Sequence, residues 1–201
     1  MKKILLSLLF ITLLPAINSG QNDILSDWRK FSITKDSSNL INLLKKKAAN
    51  YLNRTPALKN SISEITTPAF YGRLGLFITI IKNGKVRGCY GSFSHRSDSI
   101  ENVLNEYLLA ALKSDPRHKP LEIDELDAAE IILTIADQPV PVNDIESADL
   151  KRTGVVISLD NGDKFVFVPA EIKTSSYIKR EFRGREFQTE IFNAVTIRIP
   201  R

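Results

Sequence analysis

The sequence predicts an α+β fold, a largely antiparallel sheet of hairpins with flanking helices. Two observations carry this. Asn83-Gly84 and Asn161-Gly162 each sit between runs of branched apolar residues, and Asn-Gly in that setting is a strong hairpin signal. Between the runs lie segments whose apolar residues recur at helical spacing. Strand pairs closed by tight turns and separated by helices make α+β, not parallel α/β, architecture.

The chain begins MKKILLSLLFITLLPAINSGQ. Lys2 and Lys3 precede an apolar run from Ile4 to Leu14 broken only by Ser7 and Thr12, and small and polar residues lead to Gly20. That layout predicts a secretory signal peptide over residues 1–20 and an exported, periplasmic or secreted chain. A membrane span needs roughly 20 apolar residues, about twice this run. The competing reading is an uncleaved N-terminal anchor. Residues 21–37 are polar, with Trp28 and Phe31 as isolated anchors, and read as a linker or loosely docked arm. A single domain then spans residues 38–201.

Within it, Leu40, Ile41, Leu44, Ala48 and Tyr51 predict a helix over Ser38–Leu52, ended by Thr55-Pro56. Lys45, Lys46 and Lys47 fall mostly on its opposite, solvated face. Leu76–Lys82 and Lys85–Tyr90 form the first hairpin. Strict alternation puts Arg87 and Cys89 on one face and Val86 and Tyr90 on the other, core-facing side. Asp98 reads as the N-cap of the next helix, with Glu101 completing a capping box. Ile100, Val103, Leu104, Tyr107, Leu108, Ala111 and Leu112 form its apolar stripe. Glu130–Ala136 is a strand closed by Pro139 and Pro141. Gly154–Leu159 and Lys164–Val168 make the second hairpin, residues 171–185 hold a short helix, and Ile191–Ile199 is a final strand.

About 180 residues remain after a leader is removed, enough for one domain with a sizeable core. Loss of Lys2 and Lys3 lowers the net charge from +5 to +3. That is no nucleic-acid signature, which needs a concentrated basic patch. Lys173–Arg201 holds seven Lys/Arg against three Glu, read as a solvated surface in preference to an anion or membrane patch. Contact with a membrane is then transient, through the leader alone. The lone Cys89 cannot form an internal disulfide. His95 and His118 stand apart with no metal-ligand spacing around them, and no cofactor, phosphate-loop or nucleophile-elbow motif appears.

VRGCYGSF, residues 86–93, resembles the L-R-G-C-I-G signature of the AMMECR-type domain family, also called AmmeMemoRadiSam system protein A. Arg87, Gly88, Cys89 and Gly91 match outright, and Val86 and Tyr90 replace Leu and Ile. AALKSDPRHKPL is similar to the family's A-A-x-x-D-x-R-F-x-P segment through Ala110, Ala111, Asp115, Arg117 and Pro120, with His118 in place of Phe. EIILTI from Glu130, TGVVI and VFVPAEI resemble its later strands, so the likeness runs from about Leu40 to Ile199. The family's K-A-G-L segment is not visible, and SSYIKREFRGREFQTEIF stands there instead. The resemblance implies an α+β fold with two unequal subdomains and the R-G-C-x-G strand at a cleft. It supplies no settled reaction. Bacterial and archaeal members are associated with a Memo-like and a radical SAM protein, both expected in the cytoplasm, and a leader sets this chain apart from that partnership.

Three readings of the motif follow. In one, Gly88, Cys89 and Gly91 serve close packing, with Arg87 tied to Asp115 or Glu130. In the second, Arg87 and Arg117, with Gly88, Gly91, Asp115 and Glu130, frame a cleft for a small anionic molecule or a peptide or protein partner. In the third, Cys89 is a thiolate nucleophile activated by Arg87, with His95 or Glu130 as base.

Overall fold

The computed structural model describes residues 19–55, 61–70, 73–146, 148–172 and 174–199. The expected signal peptide lies outside the described residues, apart from Ser19 and Gly20, which begin the first helix.

Residues 21–37, read as a linker or arm, are mostly helical instead: α1 spans Ser19–Phe31 and α2 spans Lys35–Asn53. Trp28 is fully buried, its indole N–H donates to the Ala69 carbonyl at 3.3 Å, and Phe31 packs edge-on against it. Burying rings of this size contributes roughly 2–3 kcal/mol each, which outweighs the polar average of the segment. The Thr34 hydroxyl caps α2 by accepting from the Ser37 amide, and Arg54 ends the helix in the left-handed region with φ 54°. Lys45 and Lys47 are not wholly solvated. Lys45 donates to the Asp127 and Ala129 carbonyls, and Lys47 pairs with Glu101.

Helix α3 spans Ile100–Lys113 and is capped by Ser99, not by Asp98. The Ser99 hydroxyl accepts from the Asn102 amide, and Glu101 is drawn away to Ser61 and Lys47, so no capping box forms there. Its predicted stripe is buried from Val103 to Leu112, with Ile100 half-buried at the end.

The strands are β1 (Gly75–Lys82), β2 (Lys85–Ser92), β3 (Ala129–Ala136), β4 (Val140–Val142), β5 (Thr153–Leu159), β6 (Lys164–Phe167) and β7 (Phe187–Ile197), with helix α4 (Ser175–Glu181) before the last. They form one seven-stranded sheet in the order β2-β1-β3-β7-β5-β6, with β4 also on β7. Every pairing is antiparallel. Asn83 and Gly84 both take positive φ in the first turn, the conformation whose twist suits a two-residue hairpin. Pro141 does not close the sheet; it sits in β4 opposite Glu190, where a short outer strand tolerates a missing donor. Strand β7 starts at Phe187, ahead of the expected Ile191. Its residues Phe187–Asn193 pair with β5 and Ala194–Ile197 pair with β3, so one strand joins both halves.

Helices α1 to α3 cover one face of β1, β3 and the end of β7, making the large core around Trp28, Leu44, Leu76, Ile78, Ile80, Leu104 and Leu133. A small core under α4 holds Val155, Ile157, Phe167, Ile178 and Phe182. The opposite face of β1 meets the second half through Phe77, Val156, Val168 and Phe192. The fold is thus α+β, with two unequal parts, as the sequence predicts.

Candidate functional site

The first hairpin contains a bulge that alternation alone does not foresee. Ile80 faces Gly88 and Ile81 faces Val86, leaving Arg87 as the extra residue. The extra residue reverses the parity of the strand. Val86, opposite Ile81, lies on the face of Thr79 and Cys89, and the predicted pairing of Arg87 with Cys89 on one face is overturned. Tyr90 is not core either: it is 39% exposed and rests edge-on against Tyr107 of α3.

Each residue of the motif has a defined neighbour. The Arg87 guanidinium grips Glu125 bidentately at 3.0 and 2.7 Å and donates to the Lys119 and Pro120 carbonyls. It therefore pins the loop after α3 to the hairpin, and its partner is neither Asp115 nor Glu130. The same pair holds the Glu125 carboxyl down to about 2, aided by the Glu122 amide and Lys82. A Cβ on Gly88 would stand 2.1 Å from the Ala111 carbonyl oxygen of α3. One on Gly91 would meet the Phe77 ring and the Leu76 carbonyl at 2.3 and 2.4 Å. Both positions bring backbone against neighbouring atoms that leave no room for a side chain.

The Cys89 amide donates to Asp115 at 2.8 Å. Asp115 also accepts from the Arg117 amide and, through both oxygens, from its guanidinium. Burial works to raise the Asp115 carboxyl, but the donors of Arg117 and Cys89 outweigh it and hold it below its usual value. The Arg117 guanidinium reaches on to Glu171 at 3.1 Å. Hydrogen bonding to Asp115 raises Arg117, so it stays charged. Burial pushes Glu171 up.

The Cys89 sulfur lies 3.4 Å from the Thr79 hydroxyl, packed beside Phe77, Val156 and Phe192. Burial pushes its thiol well up, and the nearby Glu171 carboxylate adds to the rise. A thiolate nucleophile needs the opposite shift. His95 is engaged elsewhere: Nε2 contacts the Leu74 carbonyl at 2.6 Å and Nδ1 the Tyr107 hydroxyl at 2.8 Å. Since a carbonyl only accepts, Nε2 carries a proton in this arrangement. Glu130 lies on β3, one strand beyond β1, at a separate hollow with Ile41, Lys45 and Ile199.

What the fold does bring together is a groove of about 430 Å³ between the β1–β2 turn and the α4 region. Gly84, Lys85 and Val86 form one wall, Phe167, Ala170, Glu171 and Tyr177 the other, and Arg117 and His118 the base. Of the predicted site residues only Arg117 lines it. Arg87, Gly88, Cys89 and Asp115 act from behind, holding the loop that presents Arg117, while Gly91 lets β2 pack on Phe77 and Leu76 of β1. Sequence reasoning missed Lys85, Glu171 and Tyr177. Glu171 lies in VFVPAEI, where family likeness is the only signal, and Tyr177 lies in the short helix read within 171–185, where no motif marks it. Among the described residues no group of three or more His, Cys, Asp or Glu is arranged to hold a metal. No helix there is long and apolar enough to cross a membrane.

A bulged hairpin clamped to α3 by an R-G-C-x-G run, facing a second and smaller half across a groove, defines a class of α+β domain. The chain belongs to the AMMECR1 family, whose model matches residues 41–188. It is similar to a protein of Thermotoga maritima, with 35% identity over 89 residues, 44% of this chain and 51% of that one. A Methanosarcina barkeri protein is 31% identical over 77 residues, 38% of each chain. The chain thus matches about half the length, or less, of these curated relatives. Among solved structures, the uncharacterised protein PH0010 of Pyrococcus horikoshii matches with a TM-score of 0.56 at 14% identity, over 85% of this chain and 100% of that one. That likeness speaks for the fold alone.

Proposed function

We propose that this is a binding domain whose groove takes a small anionic molecule, free or as the carboxylate end of a peptide. The carrying observation is the lining. Val86, Phe167, Ala170 and Tyr177 supply apolar walls, and Lys85, Arg117 and His118 supply the donors. A few polar groups converging in an apolar cleft are the usual make-up of a small-molecule site. Arg117 is fixed by Asp115 and Glu171, so it is oriented before a ligand arrives, which lowers the ordering cost of binding. Lys85 opens β2 beside the turn, is exposed and supplies a positive charge. The nucleophile reading of Cys89 finds less support: its thiol is pushed up, it does not line the groove, and Arg87 is committed to Glu125.

Calorimetry and thermal shift with phenylacetate and inorganic phosphate test this. Binding that raises the melting temperature and is lost in Lys85→Glu supports the groove. No response to any small anion, or an equal response in Lys85→Glu, would falsify it. We also infer export, from Lys2, Lys3 and the Ile4–Leu14 run. Fractionation of cells producing the full chain tests that: an intact N-terminus in the cytosol refutes it, and an intact N-terminus in membranes favours the anchor.

A further inference from the structure

The charges around Arg117 do not balance. Asp115 is 5% exposed, the Glu171 side chain is 4% exposed, and both lean on the same Nη2 of Arg117, at 2.9 and 3.1 Å. Ionised together, two buried carboxylates on one guanidinium leave a net negative charge at the groove wall, and burial, with Asp115 beside it, accordingly pushes Glu171 up. Buried charge without a counter-charge is costly. Glu171 also has acceptor capacity to spare. Its Oε1 takes the Arg117 bond, and Oε2 takes only a long one from the Val168 amide, at 3.4 Å. A carboxylate offers about four lone-pair sites.

We propose that the groove's ligand is a zwitterion of the amino-acid type, its ammonium against Glu171, its carboxylate toward Lys85 and His118, and an apolar side chain laid against the paired rings of Phe167 and Tyr177. This rests on the anion-groove reading above and sharpens it. A plain anion would satisfy Lys85 and His118 but leave the surplus charge of the two buried carboxylates on Arg117 in place. An ammonium supplies the missing charge and fills the spare lone pairs of Glu171. The apolar wall residues favour an aromatic or branched side chain over a polar one. The groove, at about 430 Å³, accommodates a molecule of that size.

The test is calorimetry on the full chain with L-phenylalanine, N-acetyl-L-phenylalanine and L-phenylalaninamide at neutral pH. The free amino acid binds most tightly, and losing either charge weakens it at least about 10-fold, the scale of one charge-assisted hydrogen bond. Glu171→Gln keeps a carbonyl for Arg117 yet removes the charge, so it erases the preference for phenylalanine over its N-acetyl form. Lys85→Ala, beside the exposed turn, erases the preference for phenylalanine over its amide without touching the core. Equal affinity for phenylalanine and N-acetylphenylalanine, or an undiminished preference in Glu171→Gln, overturns the zwitterion while leaving the anion groove standing. Phenylacetate binding with no phenylalanine binding does the same. Silence from all these probes and from phosphate removes both readings.

Discussion

Gly88→Ala tests the architecture of the motif most directly. The added Cβ would sit 2.1 Å from the Ala111 carbonyl oxygen, where ordinary contact begins near 3.4 Å. That atom is helix backbone, so no side chain can swing aside. Strand β2 and α3 must part by more than an ångström. Forced overpacking of this kind costs about 1–3 kcal/mol. The same displacement stretches the Cys89 amide bond to Asp115 from 2.8 Å out of hydrogen-bonding range, and leaving a buried carboxylate short of a donor costs about 1–3 kcal/mol more. The loss is therefore about 2–6 kcal/mol, or roughly 4–24 °C in melting temperature for a domain of this size. Urea unfolding followed by circular dichroism reads it as a lower midpoint with an unchanged slope. Chain entropy alone would make Gly→Ala stabilising by about 0.4–1 kcal/mol, so the sign is diagnostic. Gly84→Asn is the control: no atom lies within 4 Å of its Cβ position, Asn tolerates positive φ, and its loss stays below about 1 kcal/mol. A loss in Gly88→Ala no larger than the control's refutes the clamp between β2 and α3.

Glu125→Gln loses about 1–2 kcal/mol at pH 7, by chemical denaturation, through its bonds to Arg87 and Lys82. Because the folded carboxyl is held at about 2 against 4.5, that stability is full above about pH 4.5 and fades as pH falls toward 2; a deficit constant down to pH 2 would contradict the assignment. Cys89 in the folded chain alkylates with iodoacetamide at pH 7.5 at least roughly 100-fold more slowly than in denaturant, and Arg87→Ala does not change the ratio unless it unfolds the domain; fast labelling of the folded chain restores the nucleophile. Trp28→Ala costs about 3–5 kcal/mol, measured by thermal unfolding, since the ring is fully buried and hydrogen-bonded to Ala69; a loss under about 1 kcal/mol would return α1 to the status of a loose arm.

Much of the fold was legible because its signals are local. Asn83-Gly84 marks a two-residue turn whatever surrounds it, and the stripe from Ile100 to Leu112 needs no partner to be recognised. Helix α1 was not legible, because its polar average hides two rings whose burial depends on a distant carbonyl at Ala69. The Arg87–Cys89 face failed for a related reason. A bulge is set by how two strands register, and one inserted residue reverses the parity on which alternation rests. The groove was half visible. Arg117 was singled out by its family segment, while Lys85, Glu171 and Tyr177 come from three elements that meet only in space.

Strand β7 carries a consequence for how the chain assembles. The β2-β1-β3 group and the β5-β6 hairpin precede it in the chain and do not pair with each other; each pairs with β7. Neither group can seat its inner edge until residues 187–197 have been made and threaded between them. Such late, long-range closure slows folding and leaves unpaired edges exposed meanwhile. Any nascent fragment lacking β7 therefore presents two sticky strand edges at once.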